Sequence, residues 1–163
     1  MMSSYQPASH GDKLFTSSAL IHVKPGAIKP VRKHYTDAGL DLPLQSTVTL
    51  KPHETVYAPS GVSFTLKRGV YVSIMTRSST FKHGVIVIPT VIDQGYTGEA
   101  SIIITNATDK PVTIAKGTRL AQAIVNCYRR FGNEGTELAG SVAMTPDGPA
   151  NARASNGLGS TGV

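Results

Sequence analysis

Cysteine is nearly absent from the 163-residue chain, in which Cys127 is the single example. One cysteine cannot form an internal disulfide, and this usage is typical of reducing intracellular compartments. The first residues, Met1–Pro7, also lack the basic segment followed by an apolar segment that marks a secretory signal. We therefore expect a soluble intracellular protein, in the cytoplasm or the nucleus.

Long apolar runs are also absent, although 40% of the residues are hydrophobic. The longest candidate, Gly84–Pro89, has the length of one strand and ends in a proline. It is much shorter than the roughly 20 apolar residues that a membrane-spanning helix needs. The composition thus predicts one hydrophobic core and no membrane association.

Acidic residues are scarce, with ten Asp and Glu against sixteen Lys and Arg and a formal net charge of +6. Basic residues are adjacent only at Arg32–Lys33, Lys67–Arg68 and Arg129–Arg130. No basic tract interleaved with aromatic residues is present. Scattered positive charge favours a small anionic ligand over a nucleic acid, so we expect no specific nucleic-acid binding.

The composition divides the chain into three parts. Residues 1–16 are polar and rich in Ser, Gly and Pro, and predict a flexible N-terminal arm. Residues 17–128 contain short alternating or β-branched segments separated by turn residues, which predicts an all-β domain of the sandwich or jelly-roll type. Residues 129–163 are rich in Gly, Ala, Ser and Asn and predict a C-terminal arm without a core of its own.

The predicted strands share β-branched residues, period-two alternation, or both. They are Thr47–Leu50, Glu54–Tyr57, Val62–Leu66, Val70–Met75, Ala100–Thr105, Val112–Ile114 and Leu120–Val125. We find no amphipathic helix of useful length and no internal repeat.

Five short segments contain polar residues that a plain β-sandwich does not need. They are Asp37–Leu42, Thr76–Thr80, Val91–Glu99, Lys116–Gln122 and Arg153–Val163. Each alone has an ordinary explanation, because an Asp beside a Gly is usually a turn residue and a Gly/Ser tail is usually disordered. Short motifs gain specificity only in combination.

Together, in this order and spacing, the segments resemble the five motifs of the trimeric dUTPase family (deoxyuridine 5'-triphosphate nucleotidohydrolases) from about Pro30 to Val163. The third segment and the closing Gly-Leu-Gly-Ser-Thr-Gly are the most specific. The compact stretch Gly95–Glu99 resembles viral members more than bacterial ones. The resemblance implies a jelly roll (a distorted β-barrel or sandwich) with a flexible C-terminal arm that closes over the site.

The resemblance also implies an activity. A dUTPase is a dUTP diphosphatase, a hydrolase that uses Mg²⁺ to cut dUTP into dUMP and pyrophosphate. This reaction limits uracil incorporation into DNA and supplies dUMP for dTMP synthesis. The family acts as a homotrimer whose active sites each draw on all three chains.

The roles of the phosphate-binding and catalytic residues follow from the matching motifs. Asp93 is expected to be the general base that activates the water attacking the α-phosphate. Arg77, Ser78 and Ser79 are expected to hold the phosphates, with the Ser78 hydroxyl near the oxygen of the leaving group. Gln122 adds an amide donor. Asp41 is expected to contact the metal indirectly, by orienting its water molecules.

The nucleoside is expected to meet other residues. Tyr96 should lie beneath the deoxyribose and exclude a 2'-hydroxyl. Uracil recognition is expected at a hairpin just before Asp93, Val87–Val91, where the backbone groups of Thr90 and Val91 bind the base. The C-terminal arm is expected to fold around the nucleotide through Arg153, Leu158, Gly159, Ser160 and Thr161.

Three positions depart from the family pattern. Leu158 stands where most members have an aromatic ring over the uracil, which removes a stacking contribution of about 1 kcal/mol. Val87 and Thr90 stand where many relatives have a side-chain amide and a glycine, so that recognition depends more on the backbone. Arg153 is followed by Ala-Ser-Asn, where relatives have more glycine.

Two other functions remain open on the sequence. Leu158 is compatible with a catalytically weak dUTPase-like protein that acts as an interaction or signalling module. A dCTP deaminase shares the jelly roll and the Arg-Ser-Ser segment, but it needs a glutamate as proton shuttle, for which Glu99 is the acidic candidate. A plain adhesion or capsid sandwich does not explain the polar segments.

Overall fold

We analysed a computed structural model of the chain, and the structure describes residues 19–127. The strands in this range are β1 (Ala19–Val23), β2 (Leu40–Pro43), β3 (Val48–Leu50), β4 (Thr55–Pro59), β5 (Val62–Leu66), β6 (Val70–Thr76), β7 (Val85–Ile88), β8 (Thr90–Ile92), β9 (Ser101–Asn106), β10 (Val112–Ile114) and β11 (Arg119–Cys127). A 3₁₀ helix, Thr80–His83, follows β6. Within the described range, no helix is both long enough and apolar enough to cross a membrane.

The strands form antiparallel sheets and ribbons. The largest sheet has the order β2-β11-β6-β8, and a second sheet has the order β4-β9-β7. Two ribbons, β1-β5 and β3-β10, complete the described part. This arrangement is an open, packed all-β fold, which confirms the predicted fold class.

The core lies between these layers. On β6 the alternating side chains of Val70, Val72 and Ile74 are buried, as expected for a strand with one face on the core. Phe64 of β5 and Leu42 of β2 are also fully or almost fully buried in the same cluster. The core therefore fixes β2, β6 and β11 relative to one another, and these strands carry most of the candidate site.

The structure corrects the expectation of a hairpin at Val87–Val91. β7 pairs with β9, whereas β8 pairs with β6, so the two strands belong to different sheets. They are joined by Pro89, which has no N–H to contribute to a ladder. Residues 85–92 therefore cross from one sheet to the other and do not form a two-stranded hairpin.

Candidate functional site

Asp41 lies between two arginine side chains. It is on β2, opposite Gln122 of β11, and its side chain is 13% exposed. Its Oδ1 is 2.7 Å from Nε of Arg77, and its Oδ2 is 3.4 Å from Nη1 of Arg119. A carboxylate in this position offsets part of two positive charges and orients both guanidinium groups.

Arg77 is held at the end of β6 by its backbone and its side chain. Its N–H donates to the carbonyl of Leu120 over 3.0 Å. Nη1 donates to the carbonyl of Arg119 over 2.7 Å. A guanidinium has five N–H groups, and the contacts with Asp41 and Arg119 occupy two of them. The remaining groups suit the oxygens of an anion.

Ser78 and Ser79 form the turn after Arg77. The turn closes through a hydrogen bond from the N–H of Thr80 to the carbonyl of Arg77, 3.0 Å long. The buried Thr80 hydroxyl donates to the carbonyl of Leu120 over 2.6 Å and fixes the turn to β11. Ser78 is exposed, and Ser79 makes no side-chain cap to the 3₁₀ helix. Ser78 and Ser79 thus directly follow Arg77 on a fixed backbone.

Gln122 completes this group of polar side chains. It is opposite Met75 of β6, and its Nε2 donates to the carbonyl of Thr76 over 3.2 Å. A Cβ atom at Gly39 would overlap the end of the Gln122 side chain, so a larger residue there would displace the Gln122 amide. The structure thus brings Asp41, Arg77, Ser78, Ser79 and Gln122 together at one end of the largest sheet.

Arg119 belongs to the same group but was not among the residues singled out from the sequence. It lies in the segment Lys116–Gln122, which was recognised as functional. Its contact with Asp41 joins residues that are 78 positions apart (119 − 41). The sequence contains no local signal for this contact, because pairing of β2 with β11 creates it.

Asp93 lies outside the group of polar residues around Arg77. It follows β8, whose Ile92 is opposite Val72 of β6, and it is exposed. Val72 and Thr76 are four residues apart on β6, which corresponds to about 13 Å at the rise of a strand. The backbone of Asp93 is therefore at the opposite end of the β6-β8 pair from Arg77, and the structure does not bring these two residues together within one chain.

Tyr96 shares a turn with Asp93. Its N–H donates to the carbonyl of Asp93 over 3.2 Å, and Gly95 at the third position has a φ of 89°. A positive φ at this position is typical of a type II turn. The ring of Tyr96 is partly buried against the core, and its hydroxyl donates to the carbonyl of Glu99 over 3.2 Å.

Thr90 and Val91 lie on an edge strand. β8 pairs with β6 on one side, and within residues 19–127 it has no strand partner on the other side. An edge of this kind presents backbone N–H and C=O groups to a ligand. The side chain of Val91 is 55% exposed. This geometry suits recognition of a base by backbone groups.

Glu99 has a different environment from that of a proton shuttle. Its Oε1 accepts a hydrogen bond of 2.7 Å from the N–H of Gly61, and its Oε2 is 3.8 Å from Nζ of Lys24. These contacts indicate a structural role for Glu99.

A metal could contact this site through Asp41. In the described range no group of three His, Cys, Asp or Glu side chains could hold a metal ion by itself. Asp41 has both oxygens beside arginine nitrogens, so a direct metal bond would compete with two cations. An oxygen with a further lone pair can still accept a hydrogen bond from metal-bound water. The donor set therefore fits Mg²⁺ held through water and phosphate.

Five predicted substrate-binding residues lie outside the described range: Arg153, Leu158, Gly159, Ser160 and Thr161. Their roles, and the division into arms at residues 1–16 and 129–163, stay predictions.

Comparison with known proteins gives a consistent result. A sequence model of the family described as dUTPase matches residues 26–162. The deoxyuridine 5'-triphosphate nucleotidohydrolase of Clostridium novyi is 33% identical over 140 residues, which are 84% of this chain and 92% of the relative. The protein of the same name from Helicobacter pylori is 31% identical over 145 residues, which are 86% of this chain and 93% of the relative.

Solved structures have the same fold. The dUTPase of Staphylococcus bacteriophage 80alpha is 23% identical, with a TM-score of 0.66 over 77% of this chain and 100% of that one. A dUTPase from phage phi11 of S. aureus, described with a structural Mg(II) ion, is 22% identical, with a TM-score of 0.64 over 76% of this chain and 99% of that one. At this identity the likeness shows the fold alone.

Proposed function

The chain belongs to the dUTPase family, and we propose on this basis that it hydrolyses dUTP to dUMP and pyrophosphate. The observation that carries the proposal is the group formed by Asp41, Arg77, Arg119 and Gln122, with the Ser78–Ser79 turn beside it. These residues form a fixed, cationic and hydrogen-bonding surface at the end of one sheet. Such a surface suits a triphosphate, whose reaction depends on positioning and charge stabilisation.

Phosphate binding depends on the restraint of Arg77. Asp41 and the carbonyl of Arg119 hold two of its N–H groups, so the guanidinium loses little further freedom when phosphate oxygens bind the others. The Ser78 hydroxyl supplies a donor toward the bridging oxygen between the α- and β-phosphates. Ser79 and Gln122 bind the neighbouring non-bridging oxygens.

Asp93 acts as the general base. Its carboxylate accepts a proton from a water molecule while the water oxygen bonds to the α-phosphorus. The bond from that phosphorus to the bridging oxygen breaks, and the electron pair leaves with pyrophosphate. Mg²⁺, when bound to the triphosphate, neutralises charge that develops on the phosphate oxygens. Asp41 orients a water molecule of that ion.

The nucleoside binds along β8 and over Tyr96. The open edge of β8 at Thr90 and Val91 has backbone donors and acceptors available, and pairing with these groups distinguishes uracil from cytosine by the order of donors and acceptors on the base. The ring of Tyr96 lies beneath the deoxyribose and leaves no room for a 2'-hydroxyl.

The position of Asp93 supports a site shared between subunits. The attacked phosphorus must be within a few ångströms of both the water held by Asp93 and the Ser78 hydroxyl. In one chain Asp93 lies beyond the Ile92–Val72 pair and Ser78 lies beyond Thr76, so more than about 13 Å of strand separates them. We infer that Asp93, Tyr96 and β8 of one subunit face the Arg77–Ser79 turn of a neighbour in a homotrimer, with the C-terminal arm of the third chain closing the site.

The test is pyrophosphate release in the presence of Mg²⁺ from dUTP, dCTP, dTTP and UTP. We expect turnover of dUTP alone, and a fall of at least about a thousandfold in kcat for Asp93→Asn. Asp109→Asn is the matched control, because Asp109 is 95% exposed and contacts His53 away from the site.

Other outcomes would overturn the proposal. No turnover by folded protein would favour an interaction module, and ammonia release from dCTP would favour a deaminase. The environment of Glu99, described above, counts against the second.

A further inference from the structure

Gly98 and Tyr96 are in close contact. A Cβ atom placed on Gly98 would be 2.5 Å from Oη and 2.6 Å from Cζ of Tyr96. Gly98 is not among the glycines with a positive φ, so its backbone conformation is open to other residues. The glycine is therefore required by the approach of the Tyr96 ring.

Glu99 forms a hydrogen bond with the same ring. Its backbone carbonyl accepts the Tyr96 hydroxyl over 3.2 Å. Its side chain accepts the N–H of Gly61 over 2.7 Å. The neighbouring Ala100 bonds to the same turn, accepting from the N–H of Ser60 over 3.1 Å and donating to the carbonyl of Val62 over 2.8 Å. The acceptor for Tyr96 is thus fixed to the β4–β5 turn.

That turn is itself rigidly built. Gly61 has a φ of 74°, and a Cβ atom there would be 2.7 Å from Cβ of Ala27 and 2.9 Å from Cδ of Gln45. Nε2 of Gln45 donates to the carbonyl of Ser60 over 2.9 Å. The position of Tyr96 is therefore set through Glu99 by a part of the fold outside the five recognised motifs.

We infer that Gly98 and Glu99 form a clamp on Tyr96 and are positioning residues for the exclusion of ribonucleotides. The inference rests on the proposed function, in which the Tyr96 ring excludes a 2'-hydroxyl. A ring excludes a small group only when it cannot move aside, because steric discrimination depends on the cost of displacing the wall. The clamp raises the free energy needed to displace the Tyr96 ring, and it does so without touching the nucleotide.

The test compares kcat/KM for dUTP with kcat/KM for UTP. In Glu99→Ala the hydrogen bond from Gly61 is lost, and we expect the dUTP-to-UTP ratio to fall by about tenfold. Glu99→Gln keeps an oxygen that can accept from Gly61, so its ratio should stay near that of the unaltered protein. In Gly98→Ala the ring must move by about 1 Å to reach ordinary contact, and the ratio should fall as well. Lys24→Ala is the control, because it removes only an exposed charge near Glu99.

A purely structural role predicts another result. If Glu99→Ala lowers kcat/KM for both nucleotides by the same factor, the inference is overturned. NMR of labelled tyrosine in the nucleotide-free protein provides a readout that does not depend on turnover. The Tyr96 ring should gain motion in Glu99→Ala but not in Lys24→Ala, and identical spectra would also overturn the clamp. Lack of dUTP turnover by the unaltered protein would instead refute the proposed function.

Discussion

The carboxylate of Asp41 has two proposed tasks that compete for the same oxygens. It stands between Arg77 and Arg119, at 2.7 and 3.4 Å, with 13% of its side chain exposed. In the proposed mechanism it also accepts a hydrogen bond from metal-bound water. Because the arginines are fixed to it, the first task prepares the phosphate site before substrate binds, whereas the second is performed only with substrate present.

The substitution Asp41→Asn tests the effect of the negative charge of Asp41 while it keeps the shape of the side chain. The amide has nearly the same volume, but it removes the negative charge and turns an N–H group toward an arginine. We expect kcat/KM for dUTP to fall by about 10- to 100-fold and the free energy of unfolding to fall by about 2 kcal/mol. Steady-state kinetics and urea unfolding measure the two effects.

Glu54→Gln is the control for this substitution. The Glu54 carboxylate accepts the N–H of Lys51 over 2.7 Å in a turn and does not contact an arginine in the described part of the chain. Its kinetics should not change. A stable Asp41→Asn protein with unaltered kcat/KM would show that Asp41 neither prepares the arginines nor orients the metal.

At the scale of the element, β11 organises the site. It pairs with β2 on one side and with β6 on the other, and its register with β2 shifts between Arg119 and Ala121. Residues three apart on a regular strand face opposite sides, but a bulge changes this alternation. Leu120 and Ala121 are both fully buried, so the alternation is interrupted there. The bulge thus lets Arg119 and Gln122 take part in one site.

The turn that leads into β11 has a strict backbone requirement. Gly117 has a φ of 83°, the nearest atom to an added Cβ is 3.9 Å away, and its N–H donates to the carbonyl of Leu44 over 2.8 Å. Gly117→Ala therefore meets no steric obstacle, and its cost is that of a positive φ. We expect the free energy of unfolding in urea to fall by about 1 kcal/mol, with KM for dUTP unchanged.

Lys116→Ala, in the same exposed turn, should leave stability within about 0.5 kcal/mol of the unaltered protein. Equal stability of both variants would show that the backbone at residue 117 relaxes. A raised KM in Gly117→Ala alone would show that the turn transmits strain to Gln122.

Prediction of strands from the sequence worked best where the local pattern is decisive. Val62–Leu66 and Val112–Ile114 coincide with β5 and β10, because alternation and flanking turn residues agree there. β8 was not among the predicted strands, because Pro89 directly precedes it and the polar segment that begins at Val91 overlaps it. The path of residues 85–92 depends on which sheet each strand joins, and this is decided by packing of the core.

The same limit applies to the candidate site. The motifs identified Asp41, Arg77 and Gln122 by family resemblance, and the structure brings them together. The Arg119–Asp41 contact and the Glu99–Gly61 hydrogen bond that holds the clamp join segments far apart in the chain. A sequence without an alignment gives no signal for such contacts.

At the scale of the whole molecule, the proposed active site is incomplete in one chain. The phosphate-binding residues lie at one end of the β6-β8 pair and Asp93 at the other. Several apolar side chains are exposed on the surface of the described domain, including Tyr57 at 62% and Ile86 at 55%. Exposed apolar surface of this kind is common where subunits associate.

If each active site is shared between subunits, two inactive variants should complement each other in mixed trimers. Ser78→Ala impairs the phosphate side of a site and Asp93→Asn the catalytic base, and each homogeneous protein should have little activity. In mixed trimers made by co-expression at equal ratio, a site takes Ser78 from one subunit and Asp93 from another. In every trimer that contains both variants, one of the three sites receives both residues intact, so about one third of the sites in the mixed assemblies should be complete. Affinity tags of two kinds isolate the mixed assemblies, and pyrophosphate release measures their activity.

Differently tagged copies of Asp93→Asn alone provide the control. Recovery near about one third supports sites built between subunits, whereas folded mixed assemblies without recovery would mean that Ser78 and Asp93 act from the same chain.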